Sequence, residues 1–275
     1  MELCLPLTDR SSLRLARRVL PEHLDALPPD DPRARRSRRD LQRVHRVMRS
    51  LMILRRAAKL LPVAARHPRT ILELGAGDGT LMLRFARSGH SPGQAAQVTF
   101  LDQQDLISPV TRRKFRSLGW QVQVLTEDAL KWSRDASAGQ YDLGVTTLFL
   151  HHFQTPALEL LLRAVALRCR AFIALEPRRN GLAWAGSHLL GLLGANQVTR
   201  EDGVTSVIAG FSGHELSALW PADGDGWRLQ EYFAWPFTHC FVGARQSVAE
   251  PQVLASEHDG AAGPPGAGRG ADANS

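Results

Sequence analysis

The chain has 275 residues and a net charge of +7, and 44% of its residues are hydrophobic, a share typical of a globular core rather than of a disordered chain. Its cysteines, Cys4, Cys169 and Cys240, show no CxxC or Cys/His ligand spacing, which argues against a disulfide framework or a zinc motif and favours a reducing, cytoplasmic location. The N-terminus lacks the apolar stretch of a secretory signal. The longest weakly polar run, 182–194, is too short to span a membrane.

Basic residues are concentrated in the first quarter of the chain. Residues 1–70 hold 17 basic and 7 acidic residues, which leaves 17 of the 34 basic and 20 of the 27 acidic residues for the rest. A basic segment can bind nucleic-acid phosphates. The remainder of the chain is slightly acidic, so a nucleic-acid partner is the less favoured interpretation.

Residues 1–39 mix prolines with charged runs, which predicts a flexible basic arm with a short helix at 13–20. From 40 to 61, apolar residues recur every three or four positions with basic residues between them, as in an amphipathic helix. Its charges favour an outer layer with a solvated arginine face. Residues 250–275 are poor in large apolar groups, which predicts a disordered tail.

Between 67 and 249, short apolar runs alternate with helix-like stretches, the pattern of βα units on a mostly parallel sheet. The predicted strands are 70–74, 97–101, 122–125, 141–147, 171–175, 227–233 and 238–244. Helices fall between them, 158–168 being the clearest, and the last two strands are predicted to form an antiparallel hairpin. One α/β domain therefore accounts for this segment.

The sharpest motif is ILELGAGDGT at 71–80, in which a strand runs into Gly75, Gly77 and Gly79. Glycine allows a tight turn and the close approach of a ligand to the backbone. A dinucleotide fingerprint would place its third glycine at Thr80, and Glu73 suits a cationic amino-acid group better than a diphosphate. The alternative is a tight turn without a ligand.

Two further carboxylates follow predicted strands, Asp102 in TFLDQQ and Asp128 in LTEDAL. Asp102 is placed to accept ribose hydroxyls, although each carboxylate could instead cap a helix. Together with ELGAGDG, these marks resemble the class I S-adenosylmethionine-dependent methyltransferases. The resemblance implies that S-adenosyl-L-methionine is bound by Glu73, Gly75, Ala76, Gly77, Gly79, Asp102, Gln103, Asp128 and Ala129.

The same resemblance implies a Rossmann-like, seven-stranded, mostly parallel sheet with helices on both faces, an antiparallel C-terminal hairpin and an N-terminal helical extension. In this family the segment at 40–66 would form a helical lid over the substrate, and 67–249 would form the methyltransferase domain. Residues 183–193, AWAGSHLLGLL, could line an apolar substrate pocket or belong to the core.

The fourth strand leads into LFLHHF, which contains His151 and His152. Methyl transfer is an in-line displacement, so a hydroxyl acceptor needs alignment and a base, and a neutral imidazole suits that task. The alternative is that one histidine packs under the loop and neither titrates. Glu176 is a reserve base or a structural carboxylate. No metal is expected, because no carboxylate cluster is evident beyond the cofactor acids.

LFLHHF resembles small-molecule methyltransferases, including those of ubiquinone and menaquinone biosynthesis. The segments DLQRVHRVMRSLMIL and DGVTSVIAGFSGHELSAL are similar to a bacterial group found with polyketide-synthase genes. The resemblance covers 30–245 and departs from the related sequences at Glu176-Pro177, where Asp or Asn is more frequent. It implies methylation of an oxygen, or less favourably an activated carbon, of a phenolic, quinol or polyketide-like metabolite.

Two other functions stay open. The arginine-rich front would suit an RNA methyltransferase, but TTLFLHH stands where amino-methylating nucleic-acid enzymes carry (Asp/Asn)-Pro-Pro-aromatic, and no Pro-Cys pair is present. A non-catalytic protein that binds the cofactor is the other alternative. The sequence does not indicate an oligomeric state.

Overall fold

The computed structural model describes residues 16–90, 96–221 and 226–245. Predictions about Cys4, residues 1–15 and the tail at 250–275 lie outside these ranges. Within them, no helix is both long and apolar enough to cross a membrane.

A seven-stranded sheet with the order β3-β2-β1-β4-β5-β7-β6 organises the domain. Strands β1 to β5 are parallel, and β7 lies antiparallel between β5 and β6. The strands are β1 Thr70–Leu74, β2 Gln97–Asp102, β3 Gln121–Thr126, β4 Tyr141–Thr147, β5 Cys169–Pro177, β6 Trp227–Ala234 and β7 Thr238–Arg245. The predicted α/β fold and its C-terminal hairpin are confirmed.

Helices cover both faces of the sheet because alternate side chains of each buried strand point to opposite sides. In β1, Ile71 joins the core that includes Leu54 and Met82, whereas Leu72 joins the core that includes Leu161. The helices are α1 His23–Ala26, α2 Pro32–Val47, α3 Ser50–Leu60, α4 Thr80–Phe85, α5 Pro109–Arg116, α6 Ala129–Arg134, α7 Thr155–Arg168, α8 Gly181–His188, α9 Gln197–Ala209 and α10 Glu215–Leu219. Strand order reverses between β1 and β4, which is where open α/β sheets bind ligands.

The N-terminal helices differ from the prediction of one helix at 40–61. The side chain of Asp31 accepts a hydrogen bond from Arg33 N and Pro32 occupies the first turn, so α2 begins within the predicted arm. The left-handed conformation of Arg49 (φ 56°) then separates α2 from α3. The periodic pattern predicted the helical faces but not this break, because one residue with positive φ leaves the apolar spacing almost unchanged.

The predicted helix at 13–20 is absent over its described part, 16–20. The guanidinium of Arg17 donates instead to the carbonyl oxygens of Ala209 (2.9 Å) and Phe153 (2.8 Å). Further along, the Asp202 carboxylate on α9 accepts from the backbone N–H groups that begin α1, at 2.7 and 3.0 Å. The N-terminal segment 16–27 is therefore attached to the end of the sheet where β4 leaves it.

Candidate active site

A cavity of about 760 Å³ opens at the carboxyl ends of β1, β2 and β4. Helices α2, α8 and α9 and the N-terminal segment 16–27 form its other walls. The predicted site residues that line it are Glu73, Gly75, Ala76, Gly77, Asp102, Gln103, Asp128, Ala129, His151 and His152. Gly79 and Glu176 do not line it.

The glycine-rich turn after β1 has positive φ at Gly75 (64°), Gly77 (52°) and Gly79 (67°). A Cβ on Gly75 would lie 2.3 Å from the Phe149 ring, and one on Gly79 would lie 2.9 Å from Ile107. A Cβ on Gly77 would have no described atom within 4 Å. Gly75 and Gly79 therefore permit packing, while Gly77 presents bare backbone to the cavity, where a ligand can approach it.

The carboxylates of Asp102 and Asp128 are held by backbone N–H groups. Asp102 accepts from Gly77 N (2.9 Å) and Gln104 N (3.1 Å), which ties the glycine turn to β2. Asp128 caps α6 through one oxygen, so the capping alternative is confirmed for this residue. Its other oxygen lies 3.0 Å from Gln103 Nε2. Because a carboxylate oxygen has more than one lone pair, both side chains can still accept ligand donors.

Glu73 is a buried carboxyl at the base of the cavity. Burial raises its pKa well above the usual value, and repulsion from Asp78 and Asp102 adds to the effect. Within the described part of the chain, neither Glu73 Oε2 nor the buried Thr147 Oγ1 has a hydrogen-bond partner. Orphaned polar atoms of this kind are costly unless a ligand satisfies them. They fit the cationic amino-acid end of S-adenosylmethionine.

Helix α2 forms a cavity wall above the glycine turn. Gln42 Nε2 donates to Asp78 Oδ2 (2.6 Å), and Arg38 donates to the Gln104 side chain (3.0 Å). Burial lowers the pKa of His45, which also lines the cavity, to about 4. The sequence interpretation missed His45, although it lies one helical turn after Leu41 on the same face.

His151 and His152 meet two carboxylates from the N-terminal segment, which the sequence interpretation missed. His151 Nε2 lies 3.2 Å from Glu22 Oε1, and His152 Nε2 lies 3.5 Å from Glu22 Oε2. His152 Nδ1 lies 3.3 Å from Asp25 Oδ2. Glu22 and Asp25 stand far from the histidines in the sequence and outside any motif, so no local signal identified them.

These contacts set the charge of the cluster. Burial lowers the pKa of His152, but hydrogen bonds and attraction from Asp25 and Glu22 outweigh it and raise the pKa to about 10. Burial likewise opposes ionisation of Glu22, yet its hydrogen bonds to His151 and His152 bring its pKa below the usual value. Both ring nitrogens of His152 therefore face carboxylates, and a hydroxyl acceptor would have to displace one of them before the imidazole could take its proton.

Glu176 is buried behind His151 and does not face the cavity. Its Oε1 accepts from Phe149 N (3.1 Å) and Leu150 N (2.9 Å), and its Oε2 lies 2.8 Å from His151 Nδ1. It therefore fixes the loop after β4 and orients His151, in accord with the structural alternative rather than with a reserve base. His151 is 2% exposed and His152 23%, so His151 is the one packed under the loop.

The expectation of no metal assumed that no carboxylate cluster exists beyond the cofactor acids, and the structure corrects that premise. One possible ligand atom from each of Glu22, His151 and His152 lies within 4.8 Å of the others. The cluster forms only because the N-terminal segment crosses the end of β4, which the chain pattern does not reveal.

One wall of the cavity is apolar. Leu189, Leu190, Leu192 and Leu193, in the 3-10 turn after α8, line it, as the pocket interpretation of 183–193 predicted. Leu192 is 83% exposed. Exposed leucines beside a cavity indicate an entrance suited to an apolar ligand.

Known proteins are similar to this chain in one sequence segment and in fold. Residues 71–170 match the family model described as "Methyltransferase domain". The chain is similar in structure to an O-methyltransferase family protein from Burkholderia thailandensis, with 17% identity and a TM-score of 0.54 over 80% of this chain and 61% of that one. It is also similar to the plantazolicin methyltransferase BpumL in complex with SAH, with 14% identity and a TM-score of 0.53 over 79% and 92% of the two chains. No curated protein sequence matches it.

Identities this low show the fold alone, and the chain spans less than two thirds of the Burkholderia protein. The matched domain, however, contains the glycine turn, Asp102, Asp128 and the two histidines. Residues 71–170 therefore match a methyltransferase domain model, and the chain has the class I S-adenosylmethionine-dependent methyltransferase fold.

Proposed function

We propose that the protein transfers a methyl group from S-adenosylmethionine to an oxygen of a small phenolic, quinol or polyketide-like molecule. The observation that carries the proposal is the continuity of the cavity. It joins a bare glycine turn and an unpartnered carboxyl at one end to a histidine–carboxylate cluster and an apolar wall at the other.

At the cofactor end, each group has a chemical task. Glu73 and Thr147 would hold the amino-acid portion, since their free oxygens can accept from an ammonium group. Asp102 would accept from the ribose hydroxyls, and Asp128 with Gln103 would contact the adenine. Helix α2, bound to the turn through Gln42 and Asp78, would cover this end as a lid and limit the access of water.

At the acceptor end, the chain aligns the substrate and removes a proton. The cofactor supplies an electrophilic methyl group. The protein therefore has to align the acceptor oxygen in line with that group, and no covalent bond to the protein is needed. A phenol or enol must lose its proton as the oxygen is methylated. The cluster of Glu22, His151 and His152 is the proton-accepting group beside the apolar wall, which favours a hydroxyl acceptor.

The basic front of the chain supports the nucleic-acid alternative less well. Six of the seven arginines of α2 are exposed and do not line the cavity, namely Arg33, Arg35, Arg36, Arg39, Arg43 and Arg46. The seventh, Arg38, lines the cavity, where it donates to the Gln104 side chain. Nonspecific phosphate binding by the exposed arginines would not by itself bring a base to the cofactor.

Calorimetry with S-adenosylhomocysteine tests the cofactor assignment. Asp102→Ala should weaken binding about 10-fold to 100-fold, because a charged hydrogen-bond acceptor is lost. Asp102→Asn removes the charge but keeps an oxygen that can accept from Gly77 N. It therefore separates the loss of the charged ligand acceptor from loosening of the glycine turn. Asp105→Ala is the matched control, since Asp105 pairs with Arg112 outside the cavity. Unchanged binding in both Asp102 variants would contradict the assignment.

The acceptor class is tested by methyl transfer from labelled cofactor. Phenols, quinols and aromatic polyketides with apolar substituents should be methylated on oxygen, and total RNA should not. Label found only in RNA would overturn the proposal in favour of the nucleic-acid alternative. Cofactor binding without transfer to any acceptor would favour a non-catalytic protein.

A further inference from the structure

The cluster beside the β4 loop has more carboxylates than imidazoles. Glu22, Asp25 and Glu176 surround His151 and His152 at 2.8 to 3.5 Å. His151 and Glu176 are almost completely buried, and the Glu22 side chain is 11% exposed. A buried group of this composition requires positive charge, which either protons on the imidazoles or a metal ion can supply.

We propose that Glu22, His151 and His152 form a binding site for one divalent first-row transition ion, with Zn²⁺ as the best fit. Two imidazole nitrogens and one carboxylate are a ligand set that zinc uses in sites with three protein ligands. The harder ions Mg²⁺ and Ca²⁺ prefer oxygen ligands throughout.

The possible ligand atoms lie close enough together to converge on one ion, with one atom of each residue within 4.8 Å of the others. Glu22 Oε1 is 3.2 Å from His151 Nε2, and Glu22 Oε2 is 3.5 Å from His152 Nε2. In a tetrahedral zinc site with bonds of about 2.0 to 2.2 Å, neighbouring ligand atoms lie about 3.4 Å apart. The rings of the two histidines are close to perpendicular, with centroids 4.3 Å apart. Small rotations of these side chains would bring the three atoms around one centre.

The other nitrogen of each histidine has a carboxylate partner. His151 Nδ1 lies 2.8 Å from Glu176 Oε2, and His152 Nδ1 lies 3.3 Å from Asp25 Oδ2. Metal-bound histidines commonly donate their second ring N–H to a carboxylate, which fixes the tautomer and orients the ring. Both Nε2 atoms face the Glu22 carboxylate, and both Nδ1 atoms face other carboxylates. This orientation supports a metal site independently of the number of possible ligands.

The site is open on one side, because Glu22, Asp25, His151 and His152 all line the cavity. Three protein ligands and one accessible side are typical of catalytic rather than structural zinc. If the proposed function holds, an oxygen of the methyl acceptor can bind on that side, which favours acceptors with an ionisable hydroxyl. Metal binding itself does not depend on methyl transfer.

The test measures metal in the full-length protein without cofactor. After treatment with a chelator and dialysis against Zn²⁺ or Co²⁺, the wild type should hold about one ion per chain. Cobalt should give visible bands of low-coordinate, nitrogen- and oxygen-bound Co²⁺. Glu22→Gln and His152→Ala should lose the ion, and Asp25→Asn, at the exposed outer partner, should bind about 10-fold to 100-fold more weakly.

His23→Ala is the matched control. His23 adjoins Glu22 in the sequence, but its imidazole pairs with Glu201 at 3.2 Å, away from the cluster, so this variant should keep the ion. Circular dichroism establishes that each variant is folded. An ion-free wild type, sulfur ligands in the X-ray absorption spectrum, or equal metal content in folded Glu22→Gln would each overturn the proposal. Retained binding of S-adenosylhomocysteine in those cases would leave the proposed function standing.

Discussion

The two ends of the cavity are built in different ways. At the cofactor end, Glu73, the glycine turn and Asp102 lie within 30 residues of sequence, on two adjacent parallel strands. At the acceptor end, Glu22, His151 and Glu176 come from three distant segments. The first end depends on backbone geometry that neighbouring residues dictate, whereas the second depends on long-range contacts. Changes at the two ends should therefore affect different measured quantities.

The largest expected effect is on turnover at the acceptor end. His151→Ala and His152→Ala should each reduce methyl transfer about 10²-fold to 10⁴-fold, whether the imidazole accepts the proton directly or acts through a bound ion. Binding of S-adenosylhomocysteine should change little. The control is His67→Ala, which removes an exposed imidazole ahead of β1, at the other end of the sheet. If both variants methylate at the wild-type rate, alignment alone drives the reaction.

A pair of glycine variants distinguishes packing from ligand approach. Gly75→Ala should destabilise the protein by about 1 to 3 kcal/mol, because its Cβ would overlap the Phe149 ring. Gly77→Ala meets no described atom within 4 Å, so it should cost about 1 to 2 kcal/mol through its left-handed φ alone while clearly weakening cofactor binding. Chemical denaturation and calorimetry measure the two quantities. Equal cofactor affinity for Gly77→Ala and the wild type would remove the evidence for close approach.

The smallest expected effect is a proton released when the cofactor product binds. Burial raises the pKa of Glu73, so this carboxyl keeps its proton to a higher pH than an exposed glutamate does. A cation bound beside this carboxyl favours its charged form, lowers its pKa and releases that proton. Calorimetry in buffers of different ionisation enthalpy should detect release of up to about one proton. Glu73→Gln should abolish it.

Two results of this calorimetric measurement would contradict the role of Glu73. Proton uptake instead of release, or equal release from Glu73→Gln, would mean that Glu73 does not face the cationic group. The cofactor end would then depend on Asp102 and the glycine turn alone. The acceptor end would be unaffected, because Glu73 makes no described contact with the histidine cluster.

The glycine turn was predictable from the sequence. ELGAGDG predicted both a strand and a tight turn, because these conformations depend on neighbouring residues, and the structure places Gly77 against the cavity. The strands were predicted within a few residues for the same reason. Position alone left Glu176 as either a reserve base or a structural carboxylate. It stands at a strand end, as catalytic acids do, yet the backbone N–H groups of 149 and 150 turn it inward.

The sequence alone determined the alternation of strands and helices, the order of the cofactor motifs and the apolar helix faces, since these follow from local spacing and backbone preference. Tertiary structure decided that Asp202 and Ser206 on α9 hold the segment carrying Glu22, and that Glu22 meets both histidines. Contacts between residues more than a hundred positions apart leave no periodic trace, because they depend on how packed elements cross. The acceptor end of the cavity is therefore a property of the folded chain.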